Sequence, residues 1–165
     1  MKKTGTLALI ALLTIAADQW TKHLVRLHLQ GPREYANGLL TLILTQNSGA
    51  FLSLGSTLPE VVRTLIFSLV VAVGLVVASW IVLTGRMSRR SEELAMAFVI
   101  GGGVGNLIDR FFFHGHVTDF LYLSAGPLHT GVFNVADMAI TGGVIFLLVV
   151  SMMKRPLETP PAGSD

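Results

Sequence analysis

The sequence contains no cysteine, which excludes disulfide bonds, thiolate metal sites, a cysteine nucleophile and lipid attachment through cysteine. It is also poor in charge, because Asp, Glu, Lys and Arg make up only 13% of its 165 residues, against about a quarter in a soluble domain. The formal net charge of +2 is too small to suggest nucleic-acid binding. Hydrophobic residues reach 52% and the mean hydropathy is +0.65. This composition indicates an integral membrane protein.

Four segments are apolar and long enough to cross a bilayer core of about 30 Å as helices. They lie at residues 4–25, 64–84, 94–113 and 132–153. The first resembles a cleaved signal peptide, because two lysines precede an apolar stretch that ends at Ala17. Asp18 and Lys22 continue the helical pattern past that point, so we expect a retained first span.

The basic residues predict an orientation. Seven of them cluster in three short segments, which four spans would place on one face, and that face should be cytoplasmic. They are Lys2, Lys3, Arg86, Arg89, Arg90, Lys154 and Arg155. Both termini are then cytoplasmic, and segments 22–63 and 110–131 lie outside. The bias is imperfect, because five basic residues fall on or near the outer side: Lys22, Arg26, Arg33, Arg63 and Arg110.

The segment between the first two spans predicts a small β-sheet. Asn37-Gly38 is a hairpin-type turn, and a β-prone run follows at residues 39–45, while residues 126–131 are predicted to form a loop. The predicted fold is mainly α, a polytopic membrane protein with four transmembrane helices and a small extracytoplasmic sheet between helices 1 and 2. One membrane-embedded domain is expected over residues 1–155, with a disordered cytoplasmic tail at 156–165.

Three aspartates fall at one predicted depth. Counted from the cytoplasmic ends, Asp18, Asp109 and Asp137 lie about 22–24 Å along their helices, several Å below the outer surface. A charge at that depth costs about a few kcal/mol and normally faces the bundle interior. The acids therefore indicate a structural ion-pair cluster, an active site, or a pathway for ions or protons.

Nearby cations divide the acids into two groups. Two acids have a cation close by in the sequence, one in the favourable i,i+4 order and the other at the adjacent position. We expect these acids and their cations to form a structural scaffold: Asp18, Lys22, Asp109 and Arg110. Asp119 and Asp137 have no cation nearby in the sequence and are left for chemistry. Two carboxylates held close together share a proton, and such a pair can activate water while polarising a peptide carbonyl, without metal or cofactor.

Five short motifs occur in a fixed order along the chain. They are "DQWTK" (18–22), "NSGAF" (47–51), "GGGVGNLIDR" (101–110), "GHVTDF" (115–120) and "FNVADMAITGG" (133–143). This series resembles bacterial lipoprotein signal peptidase, also called signal peptidase II, over about residues 4–153. The resemblance implies an aspartic endopeptidase of the bacterial inner membrane, with its active site near the outer face. Such an enzyme cuts the signal peptide from prolipoproteins just before a diacylglyceryl-modified cysteine.

The resemblance also implies a set of site residues. Asp119 and Asp137 match the family's catalytic dyad. The positions that match supporting or substrate-lining residues are Asn47, Gly49, Asn106, Asp109, Arg110, Asn134, Asp18 and Lys22. The implied partners are a diacylglyceryl-prolipoprotein and membrane lipid. We expect a monomer with no nucleic-acid partner, no metal and no cofactor, whose outer strands form a cradle over the substrate.

The chain departs from the family pattern at Phe51, Leu52 and Thr118, and across residues 121–132 between the two aspartates. These departures leave the dyad intact. They affect the shape of the substrate groove, and with it sequence preference and inhibitor sensitivity.

Other functions remain as alternatives at this point. A small transporter or proton relay would use the same buried acids, and a non-catalytic lipoprotein-binding protein would hold the precursor without cutting it. The outer histidines are candidate metal ligands, because His-x-His spacing places two of them on one face of a strand. The outer serines are candidate nucleophiles, although no G-x-S-x-G motif supports that role. These residues are His114, His116, His129, Ser48, Ser53 and Ser124.

Overall fold

The computed structural model describes residues 2–48 and 59–153. In this part of the chain four helices and four strands are present. The helices are α1 (Lys2–His28), α2 (Glu60–Leu83), α3 (Arg90–Phe112) and α4 (Val135–Met152). The strands are β1 (Arg33–Tyr35), β2 (Leu40–Asn47), β3 (Val117–Ala125) and β4 (Leu128–His129). The predicted tail at 156–165 and the departures at Phe51 and Leu52 lie outside the described residues.

The helices differ in how apolar they are. Within the described ranges, three are long and apolar enough to cross a membrane: Thr64–Leu83, Arg90–Phe112 and Val135–Met152. Helix α1 is long enough, at 27 residues, but it carries charged side chains in its second half. Two of these, Asp18 and Lys22, are 0% exposed. The charges of Asp18 and Lys22 therefore point into the protein, away from its outer surface.

The sheet joins two distant segments of the chain. Its strand order is β1-β2-β3-β4, with every neighbouring pair antiparallel. The predicted turn is confirmed, since Asn37 and Gly38 lie between β1 and β2 with φ of 55° and 84°. The predicted sheet has β1 and β2 between the first two helices, but it also contains β3 and β4, which follow α3 and were not predicted. The predicted loop at 126–131 likewise contains β4. Pairing between distant strands leaves no local pattern in the sequence.

Helix α3 lies at the centre of the bundle and approaches the other three helices through consecutive glycines. A Cβ on Gly101 would lie 2.8 Å from the Ala11 oxygen of α1, and one on Gly102 would lie 2.5 Å from the Ala136 oxygen of α4. Gly103 faces α2 in the same way. The missing side chains let the backbones of α1 and α4 and the Leu75 side chain of α2 approach α3 closely, as small residues do in membrane bundles.

Two adjacent glycines of α4 give a matched test of this packing. A Cβ on Gly143 would lie 2.8 Å from the Ala95 oxygen of α3, whereas nothing lies within 4 Å of one on Gly142. We expect Gly143→Ala to lower the free energy of unfolding by about 1–3 kcal/mol through overpacking. Gly142→Ala should be neutral or raise that free energy by up to about 1 kcal/mol, because alanine favours helix. Unfolding in detergent micelles measures both, and equal losses would contradict the packing.

Candidate active site

A buried lysine joins α1 to α3. The Lys22 ammonium lies 2.8 Å from Asp18 Oδ2 and 3.3 Å from Asp109 Oδ2, and it donates to Asn106 Oδ1 at 2.9 Å. Three N–H donors thus meet three acceptors, although Lys22, Asp18 and Asp109 have no exposed surface. The i,i+4 pair expected from the sequence is present.

Asp109 has a second cation that sequence analysis missed. Arg26 Nη2 donates to Asp109 Oδ1 at 2.9 Å, and Gln19 Nε2 donates to the same oxygen at 3.1 Å. Among the described residues, Asp109 therefore forms salt bridges with Lys22 and Arg26. The spacing was informative, because Arg26 lies one helical turn beyond Lys22 on the same face. Below, Asp18, Lys22, Arg26 and Asp109 are called the ion cluster.

Helix α4 begins inside this polar region. Its first turn is closed by a capping box in which Asp137 N donates to Asn134 Oδ1 at 2.9 Å and Asn134 N donates to Asp137 Oδ2 at 3.1 Å. Ala136 N donates to Asp18 Oδ1 at 2.9 Å. Three N–H groups that a helix start leaves unpaired are thus satisfied by side chains. The sequence shows the box as N-x-x-D, a signal that the span prediction did not use.

Asn134 also reaches the aspartate of β3. Its Nδ2 donates to Asp119 Oδ1 at 2.7 Å and to Asn106 Oδ1 at 3.0 Å, and Asn106 Nδ2 donates to Asp137 Oδ1 at 2.8 Å. A bridge between Leu121 and the residue before Asn134 ties the start of α4 to β3. The structure therefore gives Asp119 and Asp137 one common partner, Asn134.

The surroundings of Asp119 favour its protonated form. Burial raises the pKa of Asp119 to about 6, against a hydrogen bond from Asn47 Nδ2 at 3.0 Å that stabilises the charged form. The charge of Asp137 raises the same pKa further, and the Asn134 hydrogen bond opposes it. The amides of Asn47 and Asn134 thus both donate to Asp119.

Arg110 is attracted to these two acids as well as to Asp109 of the ion cluster. Its strongest electrostatic attraction is to Asp137, followed by Asp119 and then Asp109. Its guanidinium also donates to the Asn106 carbonyl, at 3.4 Å. The cation that sequence analysis placed in the scaffold is thus attracted to both acids of the candidate dyad.

The outer histidines were the candidates for a metal site. Within residues 2–48 and 59–153, no group of three His, Cys, Asp or Glu side chains is arranged to hold a metal ion. The ring of His116 lies 3.2 Å from the Phe113 carbonyl, and His129 stacks on Tyr122 with centroids 6.1 Å apart. Gly49 and Ser53 lie outside the described residues.

Comparison with known proteins identifies the family. The family described as Signal peptidase (SPase) II matches residues 10–153 of this chain. The chain belongs to the signal peptidase II family. It is therefore a peptidase, as the motif series implied.

Individual relatives agree with the signal peptidase II family. The chain is 32% identical over 148 residues to the lipoprotein signal peptidase of Francisella tularensis subsp. novicida, covering 89% of this chain and 91% of the relative. It is 34% identical to that of Syntrophus aciditrophicus, covering 94% and 98%. Two solved structures of a bacterial membrane enzyme share the fold with TM-scores of 0.77 and 0.75, at 24% and 23% identity. They cover 92% and 94% of this chain and 95% of their own. This signal peptidase II is a bacterial membrane protein.

The ion cluster should dominate the stability of the bundle. Lys22→Met leaves two buried carboxylates without their shared cation, so we expect a loss of about 3–5 kcal/mol in the free energy of unfolding. Glu93→Gln is the control, since its pair with Arg90, at 2.8 Å, is partly exposed and should contribute less than about 1 kcal/mol. Unfolding in detergent measures both variants, and a Lys22→Met loss as small as that of Glu93→Gln would contradict the expectation.

Proposed function

We propose that this chain is an intramembrane aspartic endopeptidase that removes the signal peptide from diacylglyceryl-modified prolipoproteins, cutting before the lipidated cysteine. The observation that carries the proposal is the role of Asn134. Its amide donates to Asp119, while its backbone N–H and side-chain oxygen bond Asp137. Two carboxylates from different elements thus share one partner in a buried site. The names of the relatives, lipoprotein signal peptidases, support this substrate.

The chemistry requires one proton on the pair. The ionised carboxylate takes a proton from water, and the water oxygen bonds to the carbon of the scissile peptide. The protonated carboxyl donates to the carbonyl oxygen, which takes up the electron pair of the C=O bond. When the tetrahedral intermediate collapses, the C–N bond breaks and the leaving nitrogen receives a proton. The raised pKa of Asp119 suits it to be the protonated member.

The charges around the site support this protonation state. The ion cluster contains two carboxylates and two cations, so its net charge is zero. A dyad that holds one proton carries a single negative charge, which the guanidinium of Arg110 balances. Because an unbalanced charge is costly in a buried site, the neutral sum favours the singly protonated dyad formed by Asp119 and Asp137.

The membrane arrangement is part of the proposal. We place α1 as a fourth span with both termini cytoplasmic and the sheet at the outer face, as a cradle over the substrate. Asp109 lies near the end of α3 and Asp137 near the start of α4, opposite the basic turn at Arg86, Arg89 and Arg90. That turn is cytoplasmic by the positive-inside rule, which puts the dyad near the outer face of the inner membrane.

This position suits a lipid-anchored substrate. The acyl chains of the modified cysteine remain in the outer leaflet, and the peptide bond beside it reaches acids several Å below the surface. A deeper site would require polar backbone to enter hydrocarbon without hydrogen-bond partners. Strand pairing with the sheet would satisfy the backbone hydrogen bonds of the extended peptide. In this proposal a single copy of the chain supplies the site.

Loss of either acid should stop cleavage. We expect Asp119→Asn and Asp137→Asn each to lower kcat at least about 100-fold, because neither amide can exchange the required proton. Asn at position 137 can still accept the capping hydrogen bond, so the fold should persist. Purified variants and a diacylglyceryl-modified prolipoprotein, resolved by gel shift, provide the measurement. Glu93→Gln also converts a carboxylate to an amide, but in the first turn of α3, far from the candidate dyad. This control variant should cleave normally. Cleavage by either Asn variant at the unmutated rate would refute the dyad.

The alkaline limb of the pH profile should follow Asp119. With its pKa raised to about 6, this carboxyl loses its proton as the pH rises through that value, and kcat/KM should fall. Asn47 stabilises the charged form by its hydrogen bond, so Asn47→Ala should raise the pKa and move the limb to higher pH. Gln30→Ala, an exposed amide before β1, should leave the limb in place. Movement of the Asn47→Ala limb to lower pH would contradict the assignment.

A further inference from the structure

Thr118, where the chain departs from the family pattern, has a specific partner in the structure. Its hydroxyl accepts hydrogen bonds from Arg26 Nε at 3.0 Å and Nη2 at 2.7 Å. Thr118 is 1% exposed and directly precedes Asp119 in β3. A hydrophobic residue at position 118 could accept neither bond.

These bonds close a triangle of three elements. Arg26 of α1 donates to Asp109 Oδ1 at 2.9 Å, and the backbone N–H of Thr118 donates to Asp109 Oδ2 at 2.8 Å. The third side is the pair of hydrogen bonds that the Thr118 hydroxyl accepts from Arg26. Residue 118 is thus held by both its backbone and its side chain, to helices α1 and α3.

The guanidinium that closes the triangle is itself fixed. Arg26 lies with its Cζ 4.0 Å from the centroid of the Phe113 ring, an arrangement that is attractive because the ring face is negative. Its side chain is 22% exposed. A planar group that is stacked and bonded to two partners has little freedom to rotate.

We propose that Arg26 and Thr118 are positioning residues that hold the β3 backbone on α1 and α3, so that the next residue, Asp119, meets Asn134 and the scissile peptide correctly. This inference rests on the proposed catalytic role of Asp119. Arg26 and Thr118 themselves touch neither substrate nor reacting atoms. Their effect is geometric, and a displacement of about 1 Å in a reacting group costs up to about 100-fold in rate.

The test compares kcat and KM for three changes at position 118 and its partner. Thr118→Val keeps the shape but removes the acceptor, so we expect kcat per folded enzyme to fall about 10- to 100-fold with KM unchanged. Thr118→Ser keeps the hydroxyl and should restore kcat. Arg26→Met should lower kcat by at least as much, and adding Thr118→Val to it should produce no further loss, because both changes break one contact.

The chain offers a matched control far from the site. Thr84 ends α2 with its hydroxyl donating to Trp80 O at 2.7 Å, and the Arg86 guanidinium lies 3.9 Å from the Trp80 ring centroid. Thr84→Val and Arg86→Met remove the same groups at the opposite end of α3, and should leave kcat unchanged.

The outcomes separate this inference from the proposed function. The unmutated protein and Asp119→Asn are assayed beside the variants on a diacylglyceryl-modified prolipoprotein. If the unmutated protein does not cleave it, both proposals fail. Suppose instead that the unmutated protein cleaves and Asp119→Asn does not. If Thr118→Val then has the kcat of the unmutated protein, the proposed function stands and only the positioning role fails. A change confined to KM or to the amount of folded protein, or losses that multiply in the double variant, would also overturn it. Should Arg26→Met not fold, the Val and Ser variants at position 118 decide.

Discussion

The ammonium group of Lys22 is the contact on which the rest of the polar interior depends. A single cation without access to water holds a carboxylate from its own helix, a carboxylate from α3 and the amide oxygen of Asn106. A buried charge is tolerated only when each donor and acceptor around it is satisfied. The neighbours of Lys22 are therefore constrained to one arrangement. That arrangement leaves the amide nitrogen of Asn106 free to point at Asp137.

Structural support and proposed chemistry share the same atoms at the start of α4. Asp137 closes a capping box with Asn134, so its carboxylate is fixed by the helix it begins. Asn134 in turn bonds Asp119, which arrives on a strand. The capping residue is thus also the link between the two acids. Asp137 also lies in the first turn of α4, where the positive end of the helix macrodipole stabilises negative charge. One polar network accounts for why an acid heads an apolar helix.

Much of the site could be predicted from sequence because its signals are local or periodic. Apolar length predicts spans, and the i,i+4 spacing of Asp18 and Lys22 predicts their ion pair. The same spacing carried one turn further would have identified Arg26. The Arg26 partner of Asp109 was missed because the two residues are 83 positions apart in the chain, and only the adjacent Arg110 is close in sequence. The composition of the sheet was mistaken because β3 follows the third helix, far from β2 in the chain.

The sequence by itself determined the membrane class, the family motifs and the identity of the acids, because composition, spacing and residue type are properties of the chain alone. Only the tertiary structure decided which cation each acid has and which strand stands beside β2. It also decided that Thr118 accepts from Arg26. Such choices depend on which backbones come close, and here the glycines of α3 bring α1 and α4 within hydrogen-bond range of one another. Contacts between residues so far apart in the chain, 83 positions for Arg26 and Asp109 and 118 for Asp18 and Ala136, have no trace in local pattern.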